Sequence, residues 1–164
     1  MSSVEKDLST TPKELIAAVK EAAGKQDWDA VDKLAPLAAG MSGDTLVSLA
    51  LEATWDKNDD VRDAAMTLWS FANPTPFGRN IHFVRAYSVM LRDPHESAAI
   101  WAAVTVARYL DSNDLGSMAK TGLAEFKERI EQMDKEENGA DWQKTRDFVI
   151  EKVGDRVPNL ANLI

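Results

Sequence analysis

A segment of ten residues is loosely repeated 34 residues further along the chain. The first copy runs from Asp59 to Leu68, and the second runs from Asp93 to Ala102. The leading aspartate and an Ala-Ala pair are identical in the two copies. Self-similarity with a period of a few tens of residues is typical of stacked helical hairpins. The repeat therefore favours an all-α architecture.

Helix signals occur along the whole chain, whereas no run of β-branched residues alternates with polar residues as a strand would require. Capping residues, apolar spacing and helix-ending glycines together predict eight helices. Their expected ranges are about 12–24, 27–39, 42–56, 59–72, 77–91, 94–110, 113–137 and 141–153. Pro36 is expected to bend or break the second helix, and Asn138-Gly139 to end the seventh.

Taken in order, these helices pair into four antiparallel hairpins that begin near residues 11, 42, 76 and 113. We expect a right-handed stack of the hairpins, with an irregular helical bundle as the alternative. The fourth and sixth helices are apolar nearly all round, which is typical of helices in the middle of a fold. Residues 1–10 are expected to form a flexible tail and residues 11–164 a single helical domain, with the apolar stretch 157–164 packed against it.

The first copy of the repeat has the pattern Asp-x-Val-Arg-x-Ala-Ala-x-x-Leu, which resembles the second helix of a HEAT repeat. The second copy resembles the same element, with His95-Glu96 in place of Val-Arg. The resemblance covers residues 42–110. It implies that the valine and the alanine pair face the core and that Arg62 helps to join neighbouring repeats.

A second resemblance, to the DNA alkylation-repair glycosylases of HEAT-like construction, is carried by two segments. Residues 55–65 are similar to their Trp-x-x-x-x-x-x-Val-Arg-Arg-x-Ala segment, and residues 99–102 to their Ala-Ile-Gly-Trp-Ala-Leu-Arg helix. An aspartate replaces the second arginine, and the glycine before the tryptophan is missing. The resemblance implies a concave basic groove in which Arg62, Trp101 and the helix of Arg85 contact DNA. The secondary candidates for binding residues are Arg62, Trp55 and Trp101.

The composition bears on the class of partner. The 19 Lys and Arg residues against 27 Asp and Glu give a net charge of -8, so the average surface repels nucleic acid and anionic membranes. Nucleic acid is therefore a disfavoured partner, and no membrane partner is expected. Neither a signal peptide nor a membrane-spanning run is recognisable, and we expect a cytoplasmic protein.

Catalytic and metal-binding motifs are missing from the sequence. It contains no cysteine, which excludes disulfides, thiolate catalysis and cysteine metal sites. Its two histidines, His82 and His95, lack the spacing of metal ligands. Neither a Walker loop nor a Gly-x-Ser-x-Gly motif is present. We therefore expect no catalytic residue, no metal and no cofactor.

A local reversal of charge is more informative, since residues 64–92 contain no acidic residue at all. The predicted fifth helix places Phe83, Val84, Tyr87, Met90 and Leu91 on one face and its basic residues opposite. The resulting basic stripe consists of Arg79, His82, Arg85 and Arg92. Such a stripe suits phosphate, nucleic acid or an acidic partner. The alternative is that these arginines pair with carboxylates of neighbouring hairpins.

The concave face of a helical stack usually binds another protein. The leading hypothesis is therefore a non-enzymatic protein–protein interaction module, an adaptor or scaffold, whose contact surface includes the basic stripe. Two alternatives stay open. One is a DNA-binding or DNA alkylation-repair-like protein. The other is a small acidic inhibitor or immunity protein that blocks a basic partner.

Overall fold

The computed structural model describes residues 10–137 and 141–164. Nearly all of the predicted tail, and the predicted helix break at Asn138-Gly139, lie outside these ranges. Within them the fold is all-α, with eight α-helices and no strand. The helices are α1 (Pro12–Gly24), α2 (Trp28–Leu34), α3 (Gly43–Ala50), α4 (Asp59–Phe71), α5 (Arg79–Arg92), α6 (Glu96–Ala107), α7 (Gly116–Glu137) and α8 (Trp142–Val153). Short 3₁₀ segments are Ala35–Gly40, Glu52–Trp55, Gly154–Arg156 and Leu160–Asn162.

The contacts between residues divide the chain into two compact units, Met1–His82 and Phe83–Ile164. Each unit buries its own set of apolar side chains. The single domain over residues 11–164 and the stacking of hairpins both stay predictions.

Four helix starts are fixed by the capping residues that the sequence indicates. The Thr11 hydroxyl accepts a hydrogen bond from the amide of Glu14 at 3.2 Å. The Asp27 carboxylate accepts one from the amide of Ala30, also at 3.2 Å. The side chains of Asn58 and Asp141 likewise accept hydrogen bonds from amides in the first turns of α4 and α8. Each cap satisfies an amide that has no partner within its helix.

Several helices are shorter than the periodicity predicts. The second helix is α-helical only as far as Leu34, because Pro36 has no amide hydrogen with which to continue the helical hydrogen bonds. A 3₁₀ segment follows it. The third ends at Ala50 and also continues as a 3₁₀ segment. The seventh begins at Gly116, after a turn in which the Ser112 hydroxyl accepts a hydrogen bond from the amide of Leu115.

In the first unit, α1 packs against α2, α3 and α4. Helix α4 is the most buried element, as its apolar sequence predicts. Its buried residues are Val61, Asp63, Ala64, Ala65, Met66, Thr67, Leu68, Trp69 and Ser70.

In the second unit, α6 packs against α7 and α8. Eight of its twelve residues are buried, in agreement with its nearly continuous apolar sequence. The C-terminal segment packs back as expected, with Val157 and Leu160 buried. Arg146 holds this segment by donating to the carbonyls of Ala161 at 2.6 Å and Ile164 at 3.0 Å. Among the described residues, no helix combines the length and apolarity needed to cross a membrane.

Candidate functional site

Helix α5 buries a different side from the one that the helical wheel predicts. Phe83 and Met90 are buried as expected, but so are His82 and Val89 from the predicted polar side. Val84, expected on the apolar face, is instead 58% exposed. The side of α5 that faces solvent therefore carries both apolar and basic residues. They are Ile81, Val84, Arg85, Ser88 and Arg92, of which Arg85 and Ser88 are half-buried.

The burial of His82 corrects the predicted stripe, because its imidazole is 0% exposed. Its Nε2 donates to the backbone carbonyl of Trp69 at 2.8 Å, and the Trp69 indole donates to the His82 carbonyl at 3.0 Å. The two rings are stacked. His82 therefore links α4 to α5 as a core residue and offers nothing to a partner at the surface.

The three arginines of the predicted stripe differ in their surroundings. Arg92 is exposed, while Arg79 and Arg85 are half-buried and each interacts with a neighbouring group. Arg79 belongs to the first unit, whereas Arg85 and Arg92 belong to the second. Whether they bind a partner stays a prediction.

Among the described residues of the first unit, the most exposed large apolar side chain is Phe77, which sequence reasoning missed. Its ring is 93% exposed in the turn directly before α5. The signal that could have identified it is an aromatic residue between a proline and a glycine in a turn. Trp55, one of the two secondary candidates in this unit, is 66% exposed.

The turn that carries Phe77 is braced from α3. The Asp44 carboxylate accepts from the amide of Thr75 at 2.8 Å and also from the Thr75 hydroxyl. Gly78 lies so close to this carboxylate that a Cβ there would overlap it. The exposed phenyl ring is therefore presented by an anchored backbone.

Arg62 uses its guanidinium within the fold. It donates to the carbonyls of Asp56 at 2.9 Å and Lys57 at 3.2 Å and pairs with Asp59. Its side chain is only 13% exposed. These bonds close the turn before α4, which is a structural role.

Trp101, in the second unit, lines a groove between α6 and α8. The groove has a volume of about 480 Å³. Its lining combines an aromatic pair, carboxylates, hydroxyls and an amine. The residues are Glu96, Ser97, Ile100, Trp101, Asp141, Lys144, Thr145 and Phe148.

The aromatic pair of this groove consists of Trp101 and Phe148, which meet edge to face with ring centroids 5.1 Å apart. Outside the lining, the Lys152 ammonium lies 5.9 Å from the Trp101 centroid and 5.4 Å from that of Phe148. The sequence singled out Trp101 alone, since its pairing with Phe148 depends on how two distant helices align.

In the parts of the chain that the structure describes, no three His, Asp or Glu side chains come together in a way that could hold a metal ion. His95 is half-buried at the start of α6, where its amide donates to the Asp93 carboxylate at 2.8 Å.

Comparison of the chain with protein-family models, with curated proteins and with solved structures finds no match.

Proposed function

We propose that this chain is a non-enzymatic protein–protein interaction module that binds its partner through Phe77 and the solvent-exposed side of α5. The observation that carries the proposal is the nearly complete exposure of the Phe77 ring on a braced turn. Exposing a phenyl ring to water is unfavourable, and burying it against a partner removes that cost. Anchoring the turn in advance reduces the entropy lost on binding.

The residues that follow Phe77 have the composition of a binding surface. Ile81 is 50% exposed and Val84 58% exposed, one helical turn apart on the same side of α5. Arg85 and Arg92 lie on that side as well. Protein interfaces commonly combine an apolar centre with a polar rim, and aromatic and arginine side chains supply most of their binding energy.

The arginines also indicate the chemistry of the partner. Residues 64–92 contain no acidic side chain, and Arg85 and Arg92 lie on the solvent side of α5. A partner with carboxylates on its surface would complement these arginines.

The proposal includes the HEAT-like stack as the framework that presents this helix. Its support is that the two copies of the sequence repeat begin α4 and α6 and that both helices are buried along most of their length. Equivalent burial is expected of corresponding helices in successive repeats.

The alternatives have no comparable observation in their favour. A DNA-binding groove would need Arg62 for phosphate contacts, whereas its guanidinium donates to backbone carbonyls. An acidic inhibitor would rest on the net charge alone. Both stay predictions.

Partner capture by variants of the exposed side chains tests the proposal. Phe77→Ser and Arg92→Glu should each weaken capture of the partner from a cell extract and leave the melting temperature unchanged, since both side chains are exposed. Met118→Ser, at another apolar side chain that is 49% exposed, is the matched control and should capture normally. Undiminished capture by Phe77→Ser would contradict the proposal, and equal losses of stability and capture would assign these residues to the fold.

A further inference from the structure

We infer that the groove between α6 and α8 is a binding site for an organic cation, an alkylammonium or guanidinium group attached to an apolar chain. Its volume of about 480 Å³ falls within the usual range of small-ligand pockets. The site uses none of the residues assigned to partner binding on α5, so it does not depend on the function proposed there.

The first argument is the aromatic pair at one end of the groove. Trp101 and Phe148 are both only half-buried, so part of each ring surface is open to a ligand. The faces of such rings carry negative potential and attract cations, with tryptophan the strongest. Ile100 beside them supplies apolar surface for the chain that carries the charged group.

The second argument is that the fold already places a cation against these rings. The ammonium of Lys152 lies within 6 Å of both centroids, at 5.9 Å and 5.4 Å. It shows that the ring pair accepts an alkylammonium group at a favourable distance. Lys152 is exposed and does not line the groove, but its positive charge lies close to the same rings and therefore opposes the entry of a further cation.

The third argument is charge at the other end of the groove. Glu96 and Asp141, from the starts of α6 and α8, supply two carboxylates, and Lys144 supplies one ammonium. The lining itself therefore carries two negative charges and one positive charge, with Lys152 beside the rings and Arg129 close enough to interact with Glu96. The Lys144 side chain is exposed and can extend into water, whereas Glu96 is half-buried beside the groove. A cationic group between the carboxylates and the rings gains from both.

The experiment is an NMR titration of the full chain that follows the indole Nε1–H signal of Trp101, assigned by its loss in Trp101→Phe. The probes are n-butylammonium chloride, sodium butyrate of the same chain length, and a capped lysine peptide. We expect n-butylammonium to shift the signal saturably at millimolar concentration, and butyrate not to. Tighter binding of the lysine peptide would identify a protein side chain as the source of the cation, and tighter binding of the free amine a small molecule. Either result supports the site.

Variants of the groove separate its parts. Asp141→Asn removes a charge but keeps a good helix cap, because asparagine caps as well as aspartate does. Combined with Glu96→Gln, it should weaken n-butylammonium binding about threefold to tenfold, the effect expected of losing two nearby carboxylates. Lys152→Met should instead strengthen binding, since it removes the opposing positive charge. Lys127→Met, at an exposed lysine of α7, is the matched control and should leave the affinity unchanged.

Three results would overturn the inference. They are a Trp101 signal that no cation shifts, butyrate binding at least as tightly as n-butylammonium, and an affinity that falls rather than rises in Lys152→Met. Butyrate binding at least as tightly would show that the groove selects anions, with Lys144 as the charged group of its lining. A loss of affinity in Lys152→Met would show that Lys152 supports the bound state instead of opposing the cation.

Discussion

The side chains of Trp69 and His82 each donate a hydrogen bond to the backbone carbonyl of the other residue, while their rings stack 5.4 Å apart with 16° between the planes. Both side chains are 0% exposed. The Trp69 carbonyl also accepts from the amide of Ala72 at 3.1 Å, where α4 ends. This reciprocal arrangement joins the end of α4 to the start of α5.

Removing the donor of His82 and removing the donor of Trp69 should both destabilise the protein, but by different amounts. His82→Phe keeps a stacked ring, and the Trp69 carbonyl keeps its bond from Ala72, so we expect a loss of about 1 kcal/mol in the free energy of unfolding. Trp69→Phe removes a buried donor and leaves a void, and should cost about 2–3 kcal/mol. Urea unfolding of the two single variants and the double variant measures these losses and the coupling between the residues.

The control for this pair is Trp55→Phe, at a tryptophan that is 66% exposed. It should change stability by less than about 0.5 kcal/mol. Additive losses in the double variant would show that the two side chains do not act together.

The helices were predictable because their determinants are local. Thr11, Asp27, Asn58 and Asp141 cap helices whose starts the sequence indicates, and the cap depends only on residues within the next turn. The nearly uniform apolar sequence of α6 likewise predicts its burial, since it leaves no polar side to expose.

The set of exposed side chains on α5 was not predictable from the sequence. Residue type alone does not indicate which polar side chain will be buried with a hydrogen-bond partner. His82 resembles a surface base in the sequence, yet its ring is satisfied by the Trp69 carbonyl. With His82 inside, the helix turns Val84 toward water. The carbonyl that decides this lies 13 residues away, in another helix.

The hydrogen-bond partners of the arginines in the second unit were not predictable for the same reason. The sequence offers no prediction for Arg129, Arg146 and Arg156, which donate hydrogen bonds to backbone carbonyls. Carbonyl groups at the end of a helix carry no sequence signature, and which arginine reaches them depends on the packing.

Replacing Arg129 with lysine should lower the stability of the protein. Its guanidinium donates to the carbonyl of Met90 at 2.7 Å and also to that of Asp93, where α5 ends. Burial lowers the pKa of Arg129, while Asp93 and Glu96 oppose the shift, and the group stays charged at neutral pH. Arg129→Lys loses the two-pronged geometry and should cost about 1–2 kcal/mol, measured by urea unfolding.

Lys127→Arg, on the same helix, is the converse substitution for comparison. Lys127 is about half exposed and pairs only loosely with Glu131, at 3.8 Å, so stability should change by less than about 0.5 kcal/mol. An Arg129→Lys protein as stable as this control would show that the carbonyl contacts contribute nothing.

Thr105 should tolerate removal of its hydroxyl, because that buried group has no hydrogen-bond partner among the residues that the structure describes. Thr105→Val replaces it with a methyl group of similar shape and should leave stability unchanged or raise it by up to about 1 kcal/mol. Thr67→Val is the matched comparison, since the buried Thr67 hydroxyl donates to the Asp63 carbonyl at 2.9 Å. It should lose about 1 kcal/mol. Thermal unfolding of both variants checks the difference, and a larger loss for Thr105→Val would contradict it.

Two glycines in the first unit should respond in opposite directions to alanine. A Cβ at Gly43 would overlap the Asn73 carbonyl and lie 2.7 Å from the Pro74 nitrogen, both backbone groups that cannot move aside easily. Gly43→Ala should therefore cost at least about 2 kcal/mol. Gly24, at the end of α1, has open space where a Cβ would go, and Gly24→Ala should gain about 0.5 kcal/mol from helix propensity. Urea unfolding of the two variants tests both signs, and a Gly43→Ala protein as stable as Gly24→Ala would refute the close approach between α3 and the turn after α4.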